Sequence, residues 1–303
     1  MLNNQIIPYT RVSTPLLERK NIKLLMKRLD LVHPLISGNK FFKLKYNIEC
    51  AKQKGFKKLL TFGGAYSNHI HASSVAARLE GLSIVGVIRG EETLPLNPTL
   101  QSAKESGMEL YYVSRTTFKE KSSPEFLNHL RKQFGDFYLI PEGGTNSLAI
   151  KGTREILEGN DFDADIITCC IGTGGTMGGI VATAKDHQKV WGFSSLKGEF
   201  INDEFENLLH RETITPLCTY EIFTSYHFGG YGKHKPELIT FIKDFYRITG
   251  IPLDPVYTGK MMFGVFKKLE EIPDNSTVIC LHTGGLQGIA GFNQRFGKDL
   301  QDK

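Results

Sequence analysis

The chain of 303 residues is 40% hydrophobic and 23% charged, a composition that is typical of folded globular proteins and excludes wholesale disorder. Its 37 lysines and arginines exceed its 32 aspartates and glutamates by only five, so the charge does not favour a nucleic-acid partner. No apolar run approaches the ~20 residues of a membrane span, and we expect no membrane partner. Residues 1–11 lack a signal pattern and the five cysteines form no CxxC motif, which together predict a cytoplasmic location.

Strand-like runs and helix-like patterns alternate along the chain. Strands are predicted at residues 58–62, 83–88, 109–113, 137–140, 166–171, 190–193 and 277–281. Helices are predicted at about residues 72–79, 99–106, 238–245 and 262–269. The run 166–171 is rich in β-branched residues, as expected of a strand that is covered on both faces. This alternation predicts an α/β fold of parallel sheets flanked by helices, and the chain length favours two sheets.

Glycine-rich turns follow four of the predicted strands, and the turn at residues 172–176 (Gly-Thr-Gly-Gly-Thr) is the strongest candidate site. Parallel α/β sheets bind ligands outside the carboxyl ends of their strands, where backbone amides can hold an anion. Met177 stands at the third glycine position of a dinucleotide fingerprint, which disfavours a nucleotide-binding module, and the Gly-Lys-Ser/Thr ending of a P-loop is lacking. The turn therefore predicts a backbone cup for one terminal phosphate of a cofactor. A tight turn without a ligand is the alternative.

Lys40 and the segment Ser67-Asn68-His69 are two further candidates. Lys40 precedes two phenylalanines, and a lysine beside apolar surface tends to lose its charge, which allows it to form a Schiff base with a carbonyl. Taken alone, Lys40 is more simply a solvated surface lysine. Ser67-Asn68-His69 is predicted to open a helix, where unpaired backbone amides favour a carboxylate. An ordinary helix N-cap is the alternative for this segment.

In their order along the chain, these segments resemble the pyridoxal-phosphate enzymes of the tryptophan-synthase-β fold type. Within this fold type, the chain looks like the branch that contains 1-aminocyclopropane-1-carboxylate deaminase and D-cysteine desulfhydrase. The resemblance covers nearly the whole chain, and the matching segments are 27–30, 38–40 with 43–44, 63–64 with 67–69, 140–144, 172–179, 229–232, 254–260 and 282–285. It implies two α/β domains, each with a mainly parallel open sheet flanked by helices, and a cofactor in the cleft between them. The large domain would comprise residues 1–44 and 146–303 and the small domain residues 45–145, in a chain that forms a homodimer.

The resemblance also implies how the cofactor, pyridoxal phosphate, is held. Lys40 would bind it as a Schiff base and move the proton at Cα of the substrate. Asn68 would contact the 3-hydroxyl oxygen, and Thr283 would lie at the pyridine nitrogen. The phosphate would be bound by Gly172, Thr173, Gly174, Gly175 and Thr176.

A small amino acid is the partner that the resemblance implies. Ser67 and the backbone amides of Asn68 and His69 would receive its carboxylate, while Tyr231 and Tyr257 would line the substrate pocket. Ser67 and the two tyrosines would act with Lys40 as catalytic residues. No metal ligands are predicted.

Two threonines bear on the reaction. Thr258 and Thr283 stand where the deaminase pattern has glutamate and leucine, and both follow the desulfhydrase pattern, as does His69, where the deaminases have glutamine. A hydroxyl at the pyridine nitrogen leaves the ring a weaker electron sink than a carboxylate does, which is adequate for a thiolate leaving group. We therefore predict a deaminating lyase that converts D-cysteine to pyruvate, ammonia and hydrogen sulfide. The alternatives are 1-aminocyclopropane-1-carboxylate deamination, D-serine-type dehydration, and a pyridoxal-phosphate-binding protein without this turnover.

Several residues depart from the pattern of both enzymes. Phe41 and Phe42 follow the lysine in place of a small polar residue and an arginine, Tyr66 stands where glutamine is common, and His71 stands where arginine or glutamine is usual. The segment 233–235 (Lys-His-Lys) is also particular to this chain. These departures leave the cofactor prediction unchanged and bear on the identity of the substrate.

Overall fold

The computed structural model describes residues 6–297, 299 and 300, so residues 1–5, 298 and 301–303 of the predicted large domain lie outside the described residues. The strands are β1 (Tyr9–Val12), β2 (Lys23–Lys27), β3 (Lys58–Gly64), β4 (Ser83–Arg89), β5 (Met108–Val113), β6 (Tyr138–Ile140), β7 (Ile166–Ile171), β8 (Lys189–Ser194), β9 (Thr219–Phe223) and β10 (Thr277–Leu281). The helices are α1 (Pro15–Arg19), α2 (Asn39–Gln53), α3 (Asn68–Leu79), α4 (Pro98–Glu105), α5 (Arg115–Lys119), α6 (Pro124–Phe134), α7 (Ser147–Thr153), α8 (Gly175–Val181), α9 (Phe200–Arg211), α10 (Pro236–Thr249), α11 (Thr258–Lys267) and α12 (Gln287–Phe296).

Two sheets organise these elements. The larger has the order β1-β2-β10-β7-β8-β9, and all its neighbouring strands are parallel except β1, which is antiparallel to β2. The smaller has the order β5-β4-β3-β6 and is parallel throughout. The predicted α/β fold with two mainly parallel sheets flanked by helices is confirmed. The strands of the smaller sheet fall between residues 58 and 140, and the domain boundaries at residues 44/45 and 145/146 stay a prediction.

Burial explains why the central strands are continuous apolar runs. All six residues of β7 are buried, because helices cover both faces of the larger sheet. Phe41 and Phe42 are also fully buried, and their rings pack edge to face with centroids 5.4 Å apart. Helix α7 packs directly on α2, since a Cβ on Gly152 would lie 2.0 Å from the carbonyl oxygen of Phe42. The two phenylalanines therefore fill the core.

A buried ion pair ties β2 to the segment before β7. Lys27 is fully buried at the end of β2, and its Nζ lies 2.5 Å from Oδ2 of Asp161, which is also buried. The hydroxyl of Tyr9 donates to the other carboxylate oxygen of Asp161 at 2.5 Å. Burial and this carboxylate raise the pKa of Tyr9 well above its usual value. Each group depends on its partners, because removal of one would leave a charge buried without compensation.

The thiols and the helices add two observations. Cys50, Cys169, Cys170, Cys218 and Cys280 are all free, and Cys169 and Cys170 are buried in β7. Within residues 6–297, 299 and 300, every helix is too short or too polar to cross a bilayer.

Candidate active site

A cavity of about 410 Å³ lies at the carboxyl ends of strands from both sheets. Its walls include the residues that follow β3, β6, β7 and β10, and the first turns of α2, α3 and α8. This is the edge at which parallel α/β sheets bind ligands, and the volume is within the ~300–1,000 Å³ of typical small-molecule sites. We refer to it as the inner cavity.

Lys40 lies on the first turn of α2 and reaches the inner cavity. Gly38 allows the helix to begin there: its φ is 72°, and a Cβ at this position would lie 2.0 Å from the carbonyl oxygen of Thr283. The Nζ of Lys40 donates to Oδ1 of Asn39 at 3.2 Å. Desolvation lowers the pKa of Lys40 to about 8. Far more of this amine is therefore unprotonated near neutral pH than of an ordinary lysine, and the unprotonated form is the one that attacks a carbonyl.

The turn at residues 172–176 joins β7 to α8 and lines the same cavity. Gly174 has a left-handed φ of 79°, and a Cβ there would lie 2.9 Å from the side chain of Leu208. The Nδ2 of Asn39 donates to Oγ1 of Thr176 at 2.8 Å, which links the turn to the residue before Lys40. The structure thus brings Lys40 and the predicted phosphate cup together, although 132 residues separate Lys40 from Gly172.

Lys43 is a residue of this site to which the sequence analysis gave no role. It is buried, and its Nζ lies 3.1 Å from the carbonyl oxygen of Gly143, 3.0 Å from Oγ1 of Thr145 and 3.3 Å from Oγ1 of Thr173. Desolvation, reinforced by the charge of Lys40, holds the pKa of Lys43 well below its usual value. Its spacing from Lys40 is a signal that could have identified it, because residues three apart share a helix face. Lys43 therefore adds an amine beside the turn at residues 172–176.

Ser67 and Asn68 lie at the start of α3, as predicted. Ser67 is the N-cap, and its Oγ accepts from the backbone N–H of His69 at 3.2 Å and of Ile70 at 3.4 Å. Asn68 lines the inner cavity, and its Oδ1 accepts from Nε2 of Gln287 at 2.5 Å. The site thus has a hydroxyl and an amide at the opening of a helix.

The imidazole of His69 is directed to the smaller sheet. Its Nε2 lies 2.7 Å from Oγ1 of Thr61, whose hydroxyl donates to the carbonyl oxygen of Ile140 at 2.8 Å. We assign the proton of His69 to Nε2 because the Thr61 hydroxyl has its one hydrogen in use. Burial, with smaller effects of Lys40 and Lys43, holds the pKa of His69 well below its usual value, so the ring is neutral. The predicted role of the His69 amide stays a prediction.

Tyr231 and Tyr257 form a pair at the cavity, with ring centroids 6.0 Å apart. The ring of Tyr257 lies over the turn at residues 172–176, since a Cβ on Gly172 would be 3.4 Å from its Cε1. Burial raises the pKa of Tyr257 well above its usual value, and the neighbouring Tyr231 adds to this effect. Tyr257 is therefore a protonated phenol that can donate a hydrogen bond.

Only one of the two threonines that bear on the reaction lines the inner cavity. Thr283 does, and so does Cys170, a thiol whose pKa burial raises well above its usual value and whose Sγ donates to Sδ of Met261 at 3.8 Å. Thr258 does not, because its Oγ1 is buried 2.7 Å from Oδ1 of Asp254, to which it donates. Among the described residues, Glu142 is the one carboxylate that lines this cavity. At this wall, the cavity therefore presents the hydroxyl of Thr283 and the thiol of Cys170. The sequence analysis gave Cys170 no role at this site.

The arrangement was compared with known proteins. A sequence profile described as "Pyridoxal-phosphate dependent enzyme" matches residues 6–284. The chain belongs to this family. It is therefore an enzyme that depends on pyridoxal phosphate, as predicted.

The relatives narrow the family further. A Thermotoga maritima protein that is provisionally named a 1-aminocyclopropane-1-carboxylate deaminase is 32% identical, over 92% of this chain and 93% of its own. The mitochondrial bifunctional D-cysteine desulfhydrase/1-aminocyclopropane-1-carboxylate deaminase of Arabidopsis thaliana is 28% identical, over 88% of this chain and 73% of its own. A crystal structure described as an ACC deaminase homologue superposes with a TM-score of 0.84, at 26% identity, covering 97% of this chain and 94% of that one. The predicted membership of the deaminase and desulfhydrase family is confirmed.

The residues at the cavity fit this cofactor. Its aldehyde requires an amine that can lose its proton, which Lys40 provides, and its phosphate requires a turn with little side-chain bulk, which Gly172, Gly174 and Gly175 provide. Lys43 adds a hydrogen-bonding amine beside that turn, and the ring of Tyr257 offers an aromatic face. Within the described residues, no cluster of three or more His, Cys, Asp or Glu side chains could hold a metal ion.

Proposed function

We propose that the protein eliminates the Cβ substituent of a small amino acid, with D-cysteine as substrate and pyruvate, ammonia and hydrogen sulfide as products. The observation that carries this proposal is that Thr283 and Cys170 both line the inner cavity and are both uncharged, the Cys170 thiol because burial raises its pKa. Glu142, the carboxylate that lines the cavity, is ion-paired with Lys121 at 3.3 Å. A hydroxyl as partner of the pyridine nitrogen favours reactions with a good leaving group, such as a thiolate.

The cofactor would be held by residues from four segments of the chain. Lys40 would provide the covalent link, the turn at residues 172–176 and Lys43 would bind the phosphate, and Asn68 and Thr283 would contact the ring substituents. When bound, pyridoxal phosphate supplies an electron sink that stabilises negative charge at Cα of the substrate.

The chain's own groups would perform the remaining chemistry. Ser67 and the amide of Asn68 would orient the substrate carboxylate at the start of α3. The Nζ of Lys40 would take the Cα proton, which its pKa of about 8 allows near neutral pH. The Cβ–S bond would break with its electron pair going to sulfur, which would leave as hydrosulfide, and the phenol of Tyr257, which stays protonated because its pKa is raised, would donate a hydrogen bond to the departing sulfur. The three-carbon enamine that remains would react with water to give pyruvate and ammonia.

Ring-opening deamination of 1-aminocyclopropane-1-carboxylate is the second candidate. It is favoured by the names of the Thermotoga maritima and Arabidopsis thaliana relatives and by the ACC deaminase homologue of similar structure. The same Lys40, Ser67 and tyrosines would serve it. This reaction breaks a carbon–carbon bond, for which the uncharged surroundings of Thr283 provide less support than a carboxylate would.

A substrate comparison on the purified holoenzyme tests the proposal. We expect equal amounts of pyruvate and sulfide from D-cysteine, and a lower rate of 2-oxo acid release from 1-aminocyclopropane-1-carboxylate. D-Serine, L-cysteine and the Lys40→Ala variant serve as controls. Release of a four-carbon 2-oxo acid alone would establish the ring-opening reaction instead. A protein that shows the absorption of the bound cofactor but releases no 2-oxo acid from any of these substrates would refute both.

A further inference from the structure

A second cavity, of about 860 Å³, adjoins the inner cavity, and we refer to it as the outer chamber. The two share eight lining residues: Gly64, Ala65, Tyr66, Asn68, Arg89, Glu142, Tyr231 and Tyr257. A ligand in the inner cavity can therefore extend past these residues. D-Cysteine and 1-aminocyclopropane-1-carboxylate are both too small to use this additional space, which leaves the outer chamber without a role in either proposed reaction.

The lining of the outer chamber is strongly basic. Its cations are Arg89, Arg115, Lys119, Lys121, Lys233 and Arg295. Two carboxylates line it, and both are engaged: Glu142 pairs with Lys121 at 3.3 Å, and Asp254 accepts from three backbone N–H groups at its own turn. Among the described residues, no carboxylate pairs with any of the other five cations. Lys233 belongs to the Lys-His-Lys segment that departs from the family's pattern.

Arg89 lies where the two cavities meet. It is the last residue of β4 and is in register with Gly64 on β3, and its Nη2 would be 3.5 Å from a Cβ on Gly64. Its guanidinium lies 5.6 Å from the centroid of the Phe118 ring. The guanidinium therefore lies beside the inner cavity, and among the described residues no group accepts a hydrogen bond from it, so its donors can meet a ligand that extends outward.

Aromatic side chains support the second arginine of this surface. The guanidinium of Arg295 lies 5.8 Å from the ring centroid of Tyr66 and 5.1 Å from that of Phe296. A guanidinium that stacks on rings keeps the N–H donors at its edge available for the oxygens of a carboxylate, sulfate or phosphate. Tyr66, a departure from the family's pattern, therefore lines both cavities and also supports one of the cations.

We propose that the outer chamber binds an anionic group at the far end of the substrate's side chain. The substrate class is then an amino acid whose Cβ substituent ends in a carboxylate, sulfate or phosphate. This inference rests on the proposed elimination and extends it: the Cα proton goes to Lys40, the Cβ–X bond breaks, and X leaves with the electron pair and carries the anionic group away. Water converts the remaining enamine to pyruvate and ammonia, so no further reactant is needed.

Two substrates that differ only in the charge at the end of the side chain test whether the outer chamber recognises an anionic group. S-Carboxymethyl-cysteine and its amide, S-carbamoylmethyl-cysteine, have almost the same shape and both leave through sulfur, and each is tested in both configurations on the holoenzyme. We expect kcat/KM to be at least about tenfold higher for the acid, with the preference falling as salt rises. Arg89→Gln should lower the ratio of kcat/KM for the acid to kcat/KM for the amide by about threefold or more. Arg78→Gln, at an exposed position on α3 away from both cavities, is the control and should leave it unchanged.

Binding without turnover separates this inference from the proposed function. α-Aminoadipate and its side-chain amide lack a leaving group at Cβ, and calorimetry measures their dissociation constants with the holoenzyme. Tighter binding of the acid that is reduced by Arg89→Gln supports the inference even if no substrate is converted, in which case only the proposed reaction fails. Equal binding of acid and amide, or an equal effect of Arg78→Gln and Arg89→Gln, would overturn the inference even if D-cysteine is converted.

Discussion

Replacing Lys43 with methionine tests whether this buried amine binds the cofactor's phosphate. Methionine has a similar length and keeps the apolar stem, so the change removes the charged group with little loss of packing. The Nζ of Lys43 lies 3.3 Å from Oγ1 of Thr173 and would be 3.1 Å from a Cβ on Gly175. Lys43 therefore lies beside the turn that is proposed to hold the phosphate.

The size of the effect follows from the burial of this lysine, of which only 2% is exposed. A phosphate bound beside it would favour the protonated form of the amine, and water would screen this ion pair little. A hydrogen bond to a charged group contributes about 1.5–3 kcal/mol. At about 1.4 kcal/mol for each factor of ten, the affinity for pyridoxal phosphate should fall roughly 10- to 150-fold in Lys43→Met. Pyridoxal, which lacks the phosphate, should bind the variant and the parent protein equally well.

Titration of the apoprotein with each compound, followed by absorbance, measures both affinities. Lys45→Met is the matched control, because Lys45 lies on the same helix, does not line the inner cavity, and pairs with Glu155 at 2.6 Å. A loss of affinity that is equal for pyridoxal phosphate and pyridoxal would refute a specific contact with the phosphate. An unchanged affinity for pyridoxal phosphate in Lys43→Met would refute the assignment altogether.

Two further predictions concern Lys40 and the buried ion pair. The pKa of Lys40 is lowered to about 8 and the neutral amine is the reactive form, so the rate at which the apoprotein binds pyridoxal phosphate covalently should rise as pH increases through about 8. Stopped-flow absorbance measures this rate, which would be independent of pH if another group limited the attachment, and Lys40→Ala should show no covalent attachment. Asp161→Asn should lower the free energy of unfolding by up to about 3–5 kcal/mol, because the buried ammonium of Lys27 would lose its nearer carboxylate and keep only Glu158, at 3.5 Å. Denaturant titration measures this loss, and an equal loss in Asp163→Asn, at an exposed position, would contradict the explanation.

The strands that could be predicted from the sequence are those in which consecutive residues are buried, because these form continuous runs of apolar or small residues. The run 166–171 has the predicted bounds because every one of its residues is apolar or small and every one is buried. By contrast, β1 and β9 are edge strands with exposed positions in alternation, so neither forms an apolar run. Strand β2 ends in Lys27, which a sequence pattern indicates as solvated. Its burial depends on Asp161, 134 residues further along the chain, and local patterns carry no information on such a contact.

The parts of the candidate site that were predictable are those that lie in recognisable sequence motifs. Lys40 and the turn at residues 172–176 do line one cavity, as their positions after glycine and after a strand indicated. The direction of the His69 ring was not predictable, because it depends on the hydroxyl of Thr61 on the neighbouring strand. Arg89 was not singled out either. It is one of 37 basic residues, and only the pairing of β4 with β3 places it at the cavity.

The inner cavity takes its walls from both sheets, since Lys40 and Thr283 meet at the larger sheet while Ser67 and Asn68 follow β3 of the smaller one. A cofactor that contacts residues of both sheets binds only the folded protein, so its binding free energy adds to the free energy of unfolding. Pyridoxal phosphate would then stabilise the contact between the two sheets as well as take part in the reaction. Loss of the cofactor would therefore abolish activity and also destabilise the protein around the inner cavity.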